Sequence, residues 1–514
     1  MTDAASGRTS QPLLGHRAGT TLCVMMAAMM QALDATIANV ALPYMQGSLS
    51  ATPEQANWVL TSYIVAAAIA TPATGLLENR LGRRKLFMGA VIGFIIASML
   101  CGAARTLDQM VVFRLLQGLC GAPLVPLAQS VLLDSYPAEQ RGSAMAIFGL
   151  GVMLGPIIGP SLGGWLTDTY NWRWVFYVNL PIGVLTAAGL FLFLFEPPRA
   201  ARMRFDILGF AFLSIAIASL QLFLDRGQQL DWFAATEIWI ELGTFLLAMY
   251  MLLVQISTAE HPFIAREMFL NRNFAFGQFL IFGVGGILLA TLALLTPYLE
   301  RLMNYPVLTA GLVLAPRGFG TMASMLLVGR IIDRVGAKVL MVIGLLLTAQ
   351  SLHQMSLFTP DVSASAIIRS GIVQGLGLGL VFVPLSTSTF ATLPPRYRTQ
   401  GTAFFNLMRN IGSSVGISVT GFLLTRYSTM MHASIAENIN PFRGAVRALH
   451  PSLTSATARA SIDLLVTEQA AAIAYANDFL LMMYATLLLI PLVLLLRGRP
   501  AAAGILPLQT RTVD

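Results

Sequence analysis

Residues 75–85 read GLLENRLGRRK, and residues 329–339 read GRIIDRVGAKV. Both have glycine at the first and eighth positions, arginine at the sixth and a basic residue at the tenth, and each interrupts a long apolar run. Their offset of 254 residues is not isolated. Gln117 and Gly118 recur as Gln374 and Gly375, Pro126 and Leu127 as Pro384 and Leu385, and Arg141-Gly142 as Gln400-Gly401, at offsets up to 259. A repeat of this length signals a duplicated unit and decides the fold.

The solvent of that unit follows from composition. Of 514 residues, 56% are hydrophobic and 11% charged, with a mean hydropathy of +0.71; a soluble domain carries roughly 25% charged residues. Too few charges exist to cover a water-facing surface, which excludes a soluble multidomain enzyme. A helix crossing a hydrocarbon core of ~30 Å needs about 20 mainly apolar residues. Fourteen runs satisfy this, at 20–44, 57–77, 86–104, 109–133, 142–166, 174–195, 207–224, 237–256, 274–298, 308–328, 339–358, 365–389, 401–425 and 474–496. Six per repeat leave the two between 207 and 256 as an insertion. The expected fold is an all-α membrane protein of two pseudo-symmetric six-helix bundles plus two inserted helices. Its parts are a tail at 1–19, a bundle at 20–196, the insertion and linkers at 197–273, a bundle at 274–496, and a tail at 497–514. Parallel repeats of this kind occur in secondary transporters, whose substrate site lies at the repeat interface.

The net charge of +8 does not indicate nucleic acid, because the basic residues are scattered in short clusters rather than gathered on one surface. Those clusters, such as Arg83-Arg84-Lys85, Arg330 with Arg334 and Lys338, and Arg396 with Arg398, recur at alternate gaps. By the positive-inside rule these gaps and both termini are cytoplasmic. The first run holds Asp34 and is too long for a signal peptide, so it is retained. Cys23, Cys101 and Cys120 lie in apolar stretches without histidine or C-x-x-C spacing, predicting neither disulfide nor metal site. A long outer segment at 427–472, containing MHASIAENINPF, reads as a docking surface with one or two amphipathic helices or as a solvated linker.

Residues 142–164 carry the most specific pattern, with Gly151, Gly155, Pro156, Gly159, Pro160, Gly163 and Gly164 following Gly142. Glycines four apart allow helix backbones to approach in lipid, and the prolines remove intrahelical hydrogen bonds. This pattern resembles the antiporter signature of drug exporters in the major facilitator superfamily. The segment Gly75, Asn79, Arg80, Gly82 and Arg83, with its second copy Gly329, Asp333, Arg334 and Gly336, resembles that superfamily's cytoplasmic gating signature. The first copy departs from it, having Asn79 where aspartate is usual, so a latch there must rely on Asn79 or Glu78. ALDATIANVALP at 32–43, WRWVFYVNLPIGV at 172–184, LDRGQQLDWF at 224–233 and HPFIAREMFLNRNFA at 261–275 are similar to the fourteen-helix drug:proton antiporters. The NPF element and PLVPLAQSVLLDSYP at 123–137 resemble the EmrB type within the EmrB/QacA family. The resemblance implies a bacterial inner-membrane permease that exports hydrophobic compounds on the proton gradient, without cofactor. It also implies a periplasmic adaptor of the EmrA type and an outer-membrane channel as partners.

Ionisable residues deep in a span are expensive, by at least ~2.5–3.5 kcal/mol, and mark function. Asp34 lies about 16 Å from the outer end of the first span, and Arg114 lies on a face shared with Gln117 and Gly118. Their depths allow contact. Desolvation favours the neutral acid and a neighbouring guanidinium favours the carboxylate, so the balance depends on conformation. Asp34 is therefore the expected proton-coupling residue, modulated by Arg114; a static pair joining two helices is the alternative. Candidates for the substrate cavity are Asn39, Gln117, Gln129, Arg317, Asn406 and Arg409. Arg317 and Arg409 either contact substrate or pair with backbone carbonyls. Arginine outnumbers carboxylate in this census, favouring neutral or weakly acidic compounds. No nucleophile–base cluster and no G-x-x-x-x-G-K-[ST] occur, so neither an enzyme nor direct ATP drive is expected. A transporter of one specific metabolite and a non-transporting scaffold or sensor remain as alternatives.

Overall fold

The computed structural model describes residues 14–196, 206–227, 229–260, 262–439 and 456–496. Among them all regular structure is helical. The first bundle comprises α1 (Leu14–Ser48), α2 (Pro53–Ala70, continued through Thr71–Ala73 to Leu81), α3 (Arg83–Ala103), α4 (Leu107–Gly121 and Leu124–Ser135), α5 (Arg141–Thr169) and α6 (Trp174–Tyr177 and Asn179–Phe193). Then come α7 (Ile207–Gly227) and α8 (Thr236–Thr258). The second bundle holds α9 (Arg272–Pro297), α10 (Val307–Val335), α11 (Ala337–Ser356), α12 (Ala364–Ala391), α13 (Arg398–Ala436) and α14 (Ala456–Leu495). Thirteen of these, all but α13, are long and apolar enough to cross a membrane by length and composition. α13 is more polar because its first turns are enclosed by protein: every residue from Thr399 to Leu407 is buried.

Local chemistry sets the ends. Thr52 caps α2 in a reciprocal pair with Gln55, Oγ1 accepting from the Gln55 backbone at 3.3 Å while Oε1 accepts from the Thr52 backbone at 3.0 Å. Thr106 caps α4 by accepting from the Gln109 backbone at 3.3 Å, while the Gln109 Oε1 accepts from the Arg105 backbone at 3.0 Å. The repeated glycines have a conformational cause. Gly82 and Gly336 each take φ +89°, with ψ 151° and 141°, to reverse the chain between α2 and α3 and between α10 and α11.

Equivalent helices pack alike in the two halves: α1 on α5 and α9 on α13, α2 on α4 and α10 on α12, α3 on α6 and α11 on α14. The bundles meet along α5 and α10 and, at the end holding the Gly82 and Gly336 turns, between α4 and α13. That end, here the basic end, is closed. Leu124–Leu133 of α4 and Thr399–Leu407 of α13 are buried on every side. Farther along, the bundles part. On one face of α1, Thr21, Val24 and Ala28 are buried near the basic end, whereas Ala35 and Asn39 are exposed.

The inserted helices are not equivalent to each other. α7 is wedged between the bundles: Asp225 accepts from Thr61 of α2 at 3.1 Å and from Gln221 at 2.9 Å, and Gln221 accepts from Ser414 of α13 at 3.1 Å. α8 packs on α7 and exposes Leu246, Leu247, Tyr250 and Leu253, as a lipid-facing helix must.

One boundary requires correction. The expected long loop at 427–472 is largely helical where described, since α13 continues to Ala436 and α14 starts at Ala456. His432 and Asp463 meet at 3.1 Å across these extensions. Alanine and polar residues sustain helix without sustaining hydropathy, so a hydropathy window ends before the helix does. The first helix starts within the expected tail, at Leu14; the NPF element, residues 1–13 and 497–514 and the basic linker residues at 199–204 lie outside the described residues.

Candidate functional site

Asp34 is reached by three side chains from two helices. Arg114 Nη1 donates to Oδ2 at 2.8 Å, while Gln117 Nε2 and Asn179 Nδ2 each donate to Oδ1 at 2.8 Å. α4 presents Arg114 and Gln117 one turn apart, and α6 presents Asn179. Arg114 also donates to the Gln117 Oε1 at 2.8 Å and, through Nε, to the Val59 carbonyl of α2 at 3.1 Å. Its guanidinium lies 4.2 Å from the Tyr63 ring centroid. Asn179 bonds Ser98 of α3 at 3.0 Å, and Ser98 donates to the Phe176 carbonyl at 2.9 Å. Asp34, Arg114, Gln117 and Asn179 are at most 1% exposed. Removing one partner of such a pair strands the other, a change that costs about 3–5 kcal/mol. Five of the six helices of the first bundle therefore converge on one carboxylate.

The remaining candidates disperse. Gln117 belongs to the Asp34 network. Asn406 donates to Gln129 at 2.9 Å, a wholly buried contact across the two bundles on the basic side. Asn39 is exposed where the bundles part. Arg317 is buried and donates through Nη2 to the Leu288 carbonyl at 3.0 Å. Arg409 is half-buried and in no ion pair among the described residues. Two residues were not anticipated. Asn179, in the segment VNLP, is not among the sequence-based candidates. Asp478 of α14 is fully buried, and neither carboxylate oxygen has a hydrogen-bond partner. The census of deep charges was thus incomplete: Asp478 lay near the start of the expected span at 474–496, whereas the helix begins several turns earlier.

Glu78 of the 75–85 segment belongs to a chain of charged contacts that reaches the second bundle. Glu78 accepts from Arg83 Nε at 2.5 Å, Arg83 Nη2 donates to Asp134 at 2.8 Å, and Arg398 from the second bundle donates to the other Asp134 oxygen at 2.5 Å. Ser130 and Thr399 hydroxyls meet at 2.7 Å, and Ser143 donates to the Gly329 carbonyl at 2.9 Å. A Cβ at Gly75 would lie 3.0 Å from the Gln400 backbone, so glycine permits this approach. Asp333 and Arg334 of the second copy are exposed. On α5, Gly151, Gly155, Gly159 and Gly163 face α1, Pro156 and Pro160 stand within the helix, and Gly164 has nothing within 4 Å of its missing Cβ.

Residues 24–417 match the Major Facilitator Superfamily. The chain belongs to that superfamily. As a facilitator it is similar to the multidrug export protein EmrB of Escherichia coli K12, with 35% identity over 84% of this chain and 85% of the relative. It is also similar to the fatty acid resistance protein FarB of Neisseria gonorrhoeae, with 36% identity over 84% and 85%. The crystal structure of the human organic anion transporter TETRAN shares its fold, with a TM-score of 0.58 and 14% identity over 91% of this chain and 99% of that one. The EmrB-type resemblance is thereby confirmed, as is a multi-pass facilitator fold of fourteen helices.

Proposed function

We propose that this facilitator exports hydrophobic and amphipathic compounds across a bacterial inner membrane in exchange for protons, favouring neutral and weakly acidic ones. The observation that carries the reading is Asp34, buried in one bundle and held by three hydrogen-bond donors. Protonation converts an acceptor oxygen into a donor, so Arg114 loses its counter-charge and the convergence of helices loosens. In alternating access the two bundles rock about a central cleft, and a group whose partners change between states takes up its proton in one and yields it in the other. The printed functions of EmrB and FarB, multidrug export and fatty acid resistance, support the substrate class.

A cytoplasmic basic end, with both termini on that side, is supported by the cluster of Arg80, Arg83, Arg84, Lys85, Arg330, Arg334 and Lys338 at its turns. Asn39 then faces the periplasmic side, where the bundles part. The helical extensions of α13 and α14 project from that same side and offer a firm surface to an adaptor of the EmrA type, which leads to an outer-membrane channel. No cofactor enters the mechanism; the proton gradient supplies the energy.

The test is proton release by purified protein in liposomes when weak acids, neutral drugs and lipophilic cations are added, with Asp34→Asn beside it. Release by the wild type and none by the variant is expected. Full proton-driven transport by Asp34→Asn would sink the assignment.

A further inference from the structure

Because the bundles are built alike, each charge in one has a counterpart position in the other. Pro43-Tyr44 recurs as Pro297-Tyr298 at the same offset that relates Gly75 to Gly329, which matches Asp34 with Leu288 and Tyr63 with Arg317. Gln117 matches Gln374, and hence Arg114 matches Gly371. In the first bundle the Arg114 guanidinium lies over Tyr63 and is neutralised by Asp34. In the second, the guanidinium comes from α10. Arg317 packs across Gly371, where a Cβ would lie 3.6 Å from its own Cβ, and donates to the backbone carbonyl of Leu288. The cation is thus retained at the equivalent place in the fold, supplied by a neighbouring helix, while the carboxylate has become a leucine.

That leaves a charge to be balanced. Arg317 is 5% exposed, and its Nη1 has no hydrogen-bond partner, a costly state for a buried guanidinium. Arg409 of α13 approaches the same helix one turn away, its Cγ 3.1 Å from the position a Cβ would take at Gly285. Among the described residues neither arginine has a carboxylate partner.

We infer that Arg317, assisted by Arg409, forms a receptor for a carboxylate of the exported compound, which takes the place Asp34 holds in the first bundle. The planar guanidinium fork matches a carboxylate, and the apolar neighbours Leu288 and Leu314 suit a hydrocarbon chain attached to it. This inference rests on the export reading and specifies its substrate class as apolar monocarboxylates.

The experiment measures binding of radiolabelled decanoate and of decanamide, which has the same chain without the charge, to purified full-length protein near neutral pH, where the acid is ionised. Transport of both compounds is followed in liposomes. Arg317→Gln is expected to weaken decanoate binding about ten- to a hundredfold, the scale of a charge-assisted hydrogen bond, and to leave decanamide unchanged. Arg317→Lys should recover part of the loss. Equal loss of both ligands would show that Arg317 only holds the helices together and would overturn the inference, as would no change in either. A wild-type protein that exports decanamide but ignores decanoate overturns the anion site and leaves the export reading standing. Transport of neither compound, nor of any in the wider panel, overturns both.

Discussion

Replacing Gly155 by alanine tests the packing on which the Asp34 site depends. The added Cβ would lie 2.6 Å from the Leu33 backbone nitrogen and 2.7 Å from the Ala32 carbonyl carbon. Both belong to the α1 backbone, where no side chain can swing aside. To restore ordinary contact at about 3.5 Å, α1 and α5 must separate by roughly 0.9 Å. Overpacking of this kind costs about 1–3 kcal/mol. Asp34 follows Leu33 directly, so the same displacement stretches its 2.8 Å bonds from Arg114, Gln117 and Asn179. Gly164→Ala, on the same helix with open space around the new methyl, is the control. Thermal unfolding in detergent and proton-driven efflux in liposomes should both fall for Gly155→Ala and hold for Gly164→Ala. Equal behaviour of the two variants would refute the reasoning.

Alanine at Gly82 or Gly336 forces φ +89° on a residue with a side chain, a strain of about 1–2 kcal/mol. The change at 82 also crowds Glu196, whose Oε2 accepts from the Arg84 backbone at 3.1 Å, whereas nothing surrounds 336; Gly82→Ala should therefore unfold at the lower temperature, and the reverse order would contradict the crowding argument. Asp134→Asn weakens the hold on both Arg83 and Arg398, so a cysteine at Thr402, a wholly buried position, should react faster with a membrane-permeant maleimide; an unchanged rate would mean that Asp134 does not hold the basic end shut. The two buried carboxylates should differ in what they stabilise: Asp34→Asn leaves Arg114 without its counter-charge and lowers stability by about 3–5 kcal/mol, while Asp478→Asn, at a site with no donors, should be tolerated. Matching losses in chemical denaturation would show that Asp478 has a stabilising partner.

The architecture was legible because lipid imposes a length on every apolar run and because glycine and charge mark each reversal. The Gly82 and Gly336 turns could be read directly, since their shared φ requires the residue type that repeats. Asp34 and Arg114 could be paired from depth alone, as two charges on neighbouring helices have few other places to go. Pairings that depend on helix rotation were not legible. Gln129 and Asn406 read as separate cavity candidates, and nothing in a single helix shows that they meet across the closed interface. Asn179 is hidden because a lone amide two residues before a proline reads as a helix start. Hydropathy also misjudged α13 and α14, whose polar turns remain helical beyond the apolar windows.

The position of Asp34 poses a problem of transmission. It lies wholly within the first bundle, while the contacts that close the basic end, Gln129 with Asn406 and Asp134 with Arg398, lie between bundles. α5 spans that gap. One of its faces sets Gly151, Gly155 and Gly159 against α1 on either side of Asp34, and another sets Gly142, Gly149 and Ile157 against Ile332, Met325 and Gly318 of α10. At each contact a glycine on one helix leaves at most a single side chain from the other between the two backbones, and close-packed interiors transmit strain. On the proposed role of Asp34, a movement of α1 with its protonation would be passed by α5 to α10, the helix that carries Arg317 near its middle and the Gly336 turn at its end. Longer side chains at the α5 glycines would give a better-filled membrane helix and a poorer lever, which accounts for small residues along its length where hydrophobic packing alone would favour leucine.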